Sequence, residues 1–291
     1  MRYHNEVMIQ APRGEEQELQ LLQAVYAAPE RDEPRLVYAD WLAERGDARA
    51  ELITLQCERA RCGTREGLRE RSLLRRCEQR WLGPLAGAVA LRGVRFERGF
   101  AASGTYRNRA GEPAEISRSA AWSTFVELDV SGAVFEPGPL PLLLSPSAKR
   151  LRGVYGLSCF DLRLLLARGE AMGWQTLGGV RYARCADVLA DLCRLPEVMP
   201  QLNTLVLTDL GVVSQTQGRA LLDSATGRQL HTLVLPGRPW LAEQLRTLTA
   251  HAPPALQRLE LACSEASGWH LTYHRKRGGD WAAEPHVNRA D

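Results

Sequence analysis

The sequence predicts an α/β solenoid, with parallel strands on a concave side and helices on a convex side, behind an all-α N-terminal cap. Three observations lead to this architecture. A short apolar pattern recurs at a nearly constant interval through most of the chain. Segments with the apolar spacing of amphipathic helices lie between its copies. Residues 15–82 carry only helical patterns, together with residue types that begin and end helices.

The recurring pattern is apolar-x-x-apolar-x-apolar, and it has six clear copies. Their first residues are separated by 26, 26, 25, 28 and 26 positions, a register that chance would rarely hold. The last two apolar positions alternate as in a short strand with one buried face. The copies are Phe125, Leu128, Val130; Leu151, Val154, Gly156; Leu177, Val180, Tyr182; Leu202, Leu205, Leu207; Leu230, Leu233, Leu235; and Leu256, Leu259, Leu261, with a weaker seventh copy at Leu91, Val94, Phe96.

Helical patterns follow most of these predicted strands. They cover Asp161–Met172, Ala186–Leu195, Gln217–Ala225 and Trp240–His251. Several prolines and glycines interrupt residues 135–147, so an irregular element is expected there. One strand and one helix in about 26 residues cannot bury their own apolar faces, but stacked copies can. This period is typical of leucine-rich repeats.

The N-terminal helical patterns predict a module that covers the apolar end of the solenoid. Asp32 is typical of a helix start and Gly46 of a helix end, and Asp47 is expected to begin the next helix. Trp41 is expected in the core, with Asp40 and Glu44 on a polar side available to Arg35 or Arg45. The predicted domains are a helical cap over 1–85, repeats over 86–264, and a C-terminal cap or tail over 265–291.

The segment from Pro34 to Leu42 reads PRLVYADWL, and it lies in a stretch of about residues 16–60 that closely resembles the bacterial repeat-companion domain. That family is a short helical module usually found at the N-terminus of leucine-rich-repeat proteins. The resemblance therefore implies the same architecture that the period predicts. It implies no catalytic activity and no functional residue. Ala50 departs from the family, which more often has Gly there, and this affects packing at most.

Composition and charge are those of an ordinary soluble globular protein. The 37 basic and 34 acidic residues leave a net charge of +3, which does not indicate a dedicated nucleic-acid binder. No apolar run reaches the length of about 18 residues that a transmembrane helix needs, and the N-terminus lacks a secretory signal, so a cytoplasmic location is expected. The seven cysteines form no CxxC pair. Reduced thiols are therefore expected, with Cys159 and Cys185 as packing residues.

The sequence contains none of several common catalytic or metal-binding motifs. No hydrolase, NTPase, metalloprotease or EF-hand motif occurs, so a non-catalytic protein without a cofactor or small-molecule substrate is expected. His270, His274 and His286 cluster near Cys263, but without the paired short spacing of zinc ligands. No metal site is therefore predicted.

The strand register predicts a partner-binding surface on the concave side, formed by Asp129, Tyr155, Leu157, Arg181, Val206, Val234 and Glu260. Its apolar centre lies between charged ends, as in a protein interface with a buried core and a polar rim. Residues 265–291 could instead cover this groove. The leading hypothesis is a non-catalytic scaffold that binds a partner protein, because exposed apolar patches usually have a function.

The alternative function is a nucleic-acid-associated regulatory protein. Six arginines lie between Arg65 and Arg80, and four of them can share one side of a helix. A solvated face partly paired with Glu66 and Glu78 is the simpler interpretation of this segment. No aromatic residues alternate with these arginines, which weighs against binding of single-stranded nucleic acid.

Overall fold

The computed structural model describes residues 13–108, 114–181, 188–208, 214–236, 242–262, 269–276 and 279–287. Four helices come first: α1 (Arg13–Ala27), α2 (Glu33–Ala43), α3 (Arg49–Cys62) and α4 (Leu68–Trp81). The later helices are α5 (Ala114–Ser117), α6 (Leu140–Leu143), α7 (Cys159–Arg168), α8 (Val188–Cys193), α9 (Gln215–Asp223), α10 (Ala225–Gln229) and α11 (Ala242–Ala250). The strands are β1 (Val89–Glu97), β2 (Phe100–Tyr106), β3 (Glu127–Asp129), β4 (Gly153–Tyr155), β5 (Thr176–Gly178), β6 (Thr204–Val206), β7 (Thr232–Pro236), β8 (Arg258–Ala262), β9 (Trp269–Arg275) and β10 (Trp281–Val287).

The described strands form one open sheet in chain order. Strands β2 to β8 run parallel, whereas β1 pairs antiparallel with β2, and β9 and β10 add two antiparallel strands at the other edge. Helices follow strands β4 to β7, close to the predicted positions, and neighbouring helices α7, α8 and α9 pack side by side. The mixed α/β class, the mostly parallel sheet and the helical N-terminal region are therefore confirmed.

The parallel strands share one buried row of side chains. Leu128, Val154, Leu177, Leu205, Leu233 and Leu259 are direct cross-strand partners. Each is at most 1% exposed, and all belong to one apolar core with residues of the helices behind the sheet. Because successive strand residues point to opposite faces, the residues before and after this row lie on the other face of the sheet. We call that other face the open face.

The third copy of the repeat begins three residues earlier than the period predicts. Trp174, which is 2% exposed, takes the first apolar position, and Leu177 takes the second, opposite Val154 and Leu205. Gly179 then adopts a positive φ of 57°, and the next residue, Val180, is buried; Tyr182 lies outside the described residues. Such a backbone favours glycine, which has no Cβ to clash.

The weak seventh copy at Leu91, Val94 and Phe96 is wrong as a parallel repeat. These residues lie in β1, at the edge of the sheet, and the strand that pairs parallel with β3 is β2. Arg98 and Gly99 turn β1 back onto β2 with φ values of 52° and 81°. Two successive positive φ values are the geometry of a tight two-residue hairpin, which a period in apolar residues does not reveal.

The N-terminal helices begin close to their predicted positions. Asp47 caps α3, since its Oδ1 accepts the N–H of Arg49 at 2.8 Å. Asp32 precedes α2 but makes no capping hydrogen bond, and its Oδ1 lies 3.0 Å from Nε of Arg98 instead. Trp41 is buried as expected, with its ring stacked on Tyr38.

The expectation of reduced thiols is wrong at one position. Cys159, buried at the start of α7, takes part in a disulfide bond whose partner lies outside the described residues. Cys185, the other predicted packing cysteine, also lies outside them. Cys57, Cys62 and Cys193 are among the thiols that are free.

Within the part of the chain that the structure describes, no helix combines the length and the apolar character needed to cross a membrane.

Candidate binding surface on the open face of the sheet

The open face of β3 to β8 carries two rows of residues, one on each side of the buried row. The first row contains Glu127, Gly153, Thr176, Thr204, Thr232 and Arg258. The second row contains Asp129, Tyr155, Gly178, Val206, Val234 and Glu260. The parallel register brings these residues of six strands together, although they are spread over more than a hundred positions of the chain.

Five of the predicted site residues lie together in the second row, and two do not. Leu157 is fully buried in the apolar core, so its prediction as a surface residue is wrong. The physical reason is Gly156, whose φ of 76° turns the following side chain inward. Arg181 lies beyond β5, where its Nε donates a hydrogen bond to the carbonyl of Gly156 at 2.9 Å. Gly178 holds the position that was assigned to Arg181.

The apolar side chains at the centre of the open face are less exposed than the strand register suggests. Tyr155 and Val206 are partly exposed, but Val234 is only 8% exposed. The Tyr155 ring lies over two glycines. A Cβ built on Gly178 would lie 2.5 Å from Cδ1 of the ring, and one built on Gly153 would lie 3.3 Å from its Cε2. The ring therefore fills the space that side chains at these two positions would need.

Carboxylates predominate at the β1–β3 end of the open face. Arg95 forms ion pairs with Glu97 and with Glu127, the latter at 3.2 Å. Asp129 accepts hydrogen bonds from the N–H of Ser131 at 2.8 Å and from the hydroxyl of Thr105 at 3.2 Å. Two of the three carboxylates at this end of the face, Glu97 and Glu127, therefore share the Arg95 guanidinium.

The Tyr155 hydroxyl stays protonated at neutral pH. Burial, and to a smaller extent the negative charge of Glu127, raises the pKa of Tyr155 above its ordinary value. Desolvation and a nearby negative charge both disfavour the phenolate. The centre of the open face therefore presents a neutral aromatic ring beside the Glu127 and Asp129 side chains.

The other end of the open face carries a balanced charge. Arg258 and Glu260 form an ion pair on β8. β9 continues the sheet there, with His274 opposite Arg258 and Thr272 opposite Glu260. The described residues of the C-terminal segment thus extend the sheet edge to edge and do not lie across the face.

The structure adds residues that the prediction missed. Thr176, Thr204 and Thr232 are adjacent on β5, β6 and β7, and each is partly exposed. Threonine suits such half-buried strand positions because its branched side chain packs well on a pleated surface. Thr204 and Thr232 each precede a leucine of the predicted repeat pattern, Leu205 and Leu233, and correct placement of Trp174 would have identified Thr176, which precedes Leu177, in the same way.

The arginines of α4 are paired differently from the prediction. Arg69 binds both carboxylate oxygens of Glu51 at 2.6 Å, and Arg80 lies 3.1 Å from Asp47. Glu51 belongs to α3 and Asp47 caps it, so these pairs join α4 to α3 and do not involve Glu66 or Glu78. Arg71 and Arg75 are exposed and form no ion pair within the described ranges.

No metal site is present among the residues that are described, because they contain no group of three His, Cys, Asp or Glu side chains placed to hold an ion. The side chains of His270 and His286, and the whole of Cys263, lie outside the described part.

Comparison of the chain with protein-family models, with curated proteins and with solved structures finds no significant match.

Proposed function

We propose that the chain is a leucine-rich-repeat solenoid with a repeat-companion domain at its N-terminus, and that it acts as a non-catalytic scaffold that binds a partner protein through the open face. The observation that carries this proposal is the alignment of two side-chain rows across six parallel strands. Tyr155 and Val206 are partly exposed in the second row, and Thr176, Thr204 and Thr232 are partly exposed in the first.

The backbone between strands supports the repeat interpretation. The carbonyl of Gln175 accepts the N–H groups of both Asn203 and Thr204, at 2.9 and 3.0 Å. The carbonyl of Asn203 accepts those of His231 and Thr232 in the same way, at 2.8 and 2.9 Å. Equivalent residues of successive repeats thus make equivalent contacts, as expected where each unit packs only on its neighbours.

The chemistry of the open face favours a protein as the partner. A partly exposed ring and a branched apolar side chain lie between two charged ends, which is the arrangement of an interface core and rim. Cations on this face are already bound to carboxylates, as in the Arg95–Glu127 and Arg258–Glu260 pairs. A polyanion would therefore find little unpaired positive charge here.

Site-specific crosslinking in the native cell tests the proposal. A photoreactive benzoylphenylalanine at Thr204 would sample the open face, and one at Arg219, on α9, would sample the helical side at a more exposed position. We expect a discrete adduct with another protein from position 204 and none from position 219. Val206→Asp should remove that adduct, because it places an unpaired charge in the interface. Equal adducts from both positions, or none from position 204, would contradict the proposal.

Nucleic-acid binding by α4 has less support, since Arg69 and Arg80 are engaged by carboxylates. Arg65, Arg71, Arg75 and Arg76 are exposed and could contact phosphate. Affinity for RNA that falls steeply with salt, and that falls further in an Arg71→Gln and Arg75→Gln double variant, would favour this function over the scaffold.

A further inference from the structure

Tyr155 is the single aromatic residue in the two rows of the open face. Its ring lies against bare backbone at two adjacent positions, Gly153 and Gly178, which lack a side chain. The ring is nevertheless partly exposed, so the side turned away from the sheet is accessible. An aromatic face held in this way attracts cations through its quadrupole.

Glu127 and Asp129 border the same ring. The Cγ of Glu127 lies 3.1 Å from the point where a Cβ of Gly153 would be, and the Tyr155 hydroxyl lies 3.6 Å from that point. Asp129 is the direct cross-strand partner of Tyr155. Arg181, the cation beyond the second row, is turned to the carbonyl of Gly156. We call Tyr155, Glu127 and Asp129 the acidic corner.

The described residues do not balance the charge of this region. Arg95 is shared between Glu97 and Glu127, and within the described residues Asp129 pairs with no arginine or lysine. A partner that brings a positive group would therefore gain attraction without having to displace an existing ion pair of Asp129. A guanidinium suits the corner best, because it can stack on a ring and donate two hydrogen bonds to carboxylates at once.

We propose that the acidic corner binds an arginine side chain presented by an extended segment of the partner protein. This inference rests on the proposed function, and it adds the chemistry of the partner. The guanidinium lies over the Tyr155 ring and donates to Glu127 and Asp129.

A direct test uses three labelled peptides of equal length, in which arginine, citrulline or glutamate alternates with glycine and serine. Citrulline keeps the shape of arginine but carries no charge. Fluorescence anisotropy with the full chain should show the arginine peptide binding about tenfold more tightly than the citrulline peptide, and no binding of the glutamate peptide. Equal affinities for arginine and citrulline, or a preference for glutamate, would overturn the proposal.

Variants locate the binding. Tyr155→Phe keeps the ring and should keep the affinity for the arginine peptide. Tyr155→Leu should lower that affinity about fivefold. Asp129→Asn should weaken it similarly, and Glu197→Gln, a surface carboxylate paired with Arg194 away from the sheet, should not. Unchanged affinity in both Tyr155→Leu and Asp129→Asn would place the peptide elsewhere and reject the acidic corner. Circular dichroism shows whether each variant is folded. If a variant is not folded, the affinities of the wild-type chain for the arginine and citrulline peptides decide whether the proposal holds.

Arg95→Gln gives a prediction of opposite sign. It frees Glu97 and Glu127 from the chain's own cation, so the arginine peptide should bind more tightly, by about twofold or more. A merely structural role of Arg95 would lower the affinity or leave it unchanged, which would count against the proposal. Self-association of the chain that is lost in Tyr155→Leu would assign the corner to a second copy instead.

The two proposals fail separately. If crosslinks form from position 204 but the arginine and citrulline peptides bind alike, the scaffold stands and the partner chemistry is wrong. If neither crosslinks nor charge-dependent peptide binding is found, both proposals fail.

Discussion

The junction between the helical region α1–α4 and the sheet is stabilised differently from the parallel strands β3–β8, although the helical region also has an apolar core of its own. In the strands, each repeat contributes one apolar side chain to the same buried row, and every member is at most 1% exposed. In the helical region, polar side chains of α2 and α3 bind the backbone of the turn between β1 and β2. Arg35, Arg49 and Gln56 supply these contacts.

The turn is held by several directed hydrogen bonds. Arg35 donates to the carbonyl of Arg98 at 2.8 Å and to that of Pro29 at 2.7 Å. Arg49 donates to the carbonyl of Gly99 at 3.1 Å, and the N–H of Gly99 donates to Gln56 at 2.7 Å. The ring of Phe100 contacts both guanidiniums, with its centroid 4.8 Å from Cζ of Arg35 and 4.3 Å from Cζ of Arg49. The contact is thus specific to this one turn.

From this difference we expect stability to depend on side-chain volume in the strands, and on hydrogen bonding where α2 and α3 contact the turn between β1 and β2. When a buried apolar side chain is shortened, the loss in the free energy of unfolding increases with the volume of the cavity that remains. A buried arginine leaves unsatisfied carbonyls when it is removed.

The largest effect is expected from Leu205→Ala, in the middle of the buried row. Leu205 is fully buried between Leu177 and Leu233, where the surrounding strands restrict collapse of the cavity. We expect a loss of about 3–4 kcal/mol in the free energy of unfolding, measured by chemical denaturation. Thr204→Ala, one residue earlier on the open face, is the control and should cost less than about 1 kcal/mol. Similar losses in both variants would contradict the placement of the buried row.

The next effect is expected from Arg35→Met, which keeps an apolar stem but removes the donors. Arg35 is 2% exposed, and burial lowers its pKa to about 10, so it remains charged at neutral pH. The loss of its hydrogen bonds should cost about 2–3 kcal/mol, because carbonyls of the turn are left unsatisfied. Arg31→Met removes a surface arginine paired with Glu33 and should cost less than about 1 kcal/mol. If Arg35→Met lowered the free energy of unfolding no more than Arg31→Met does, the stability of the junction would not depend on these hydrogen bonds.

The buried row could be predicted because its cause is local and repeated. Five copies keep leucine or valine opposite one another, and a single period describes them. The third copy could not be placed, since Trp174 replaces the usual aliphatic residue and Val180 imitates the second position of the pattern. The error moved Arg181 into the candidate surface and left Gly178 out of it.

Arg35 could not be predicted for a different reason. Its position on α2 suggested a surface arginine near Asp40 or Glu44, but its partner carbonyl at Arg98 lies 63 residues away. No local pattern encodes such a contact. The exposure of the open face was likewise only partly predictable, because a strand register states which way Val234 points but not that it is 8% exposed.

A smaller effect is expected from Gly156→Ala, which tests why Leu157 is buried. Gly156 has a φ of 76°, and an added Cβ would lie 2.6 Å from the backbone nitrogen of Ser131. Gly169 has a φ of 67° at the end of α7, with nothing within 4 Å of such a Cβ. Gly169→Ala should therefore cost about 1 kcal/mol from backbone strain alone, and Gly156→Ala about 2 kcal/mol from strain and crowding together. Equal thermal shifts in the two variants would show that the strands can move apart at Gly156 without cost.

The smallest effect is expected from the surface pair that joins α4 to α3, and it should depend on pH. The hydrogen bond from Arg69 lowers the pKa of Glu51 below its ordinary value of 4.5. Because the pKa is lower in the folded state, the stabilisation is present above about pH 4.5 and disappears as the pH falls through the lowered value. Glu51→Gln should therefore lower the thermal midpoint slightly at neutral pH, and this difference should disappear at a pH low enough to protonate the wild-type carboxyl as well.

Glu66→Gln is the matched control for that experiment, since Glu66 is exposed and forms no ion pair within the described residues. It should leave the midpoint unchanged at both pH values. A loss of stability in Glu51→Gln as large as that in Arg35→Met would contradict the contrast between surface and buried contacts. The surface ion pair would then stabilise the helical region as strongly as the buried hydrogen bonds do. High salt separates these cases, since it screens the exposed Glu51–Arg69 pair and leaves the buried contacts of Arg35 nearly unaffected.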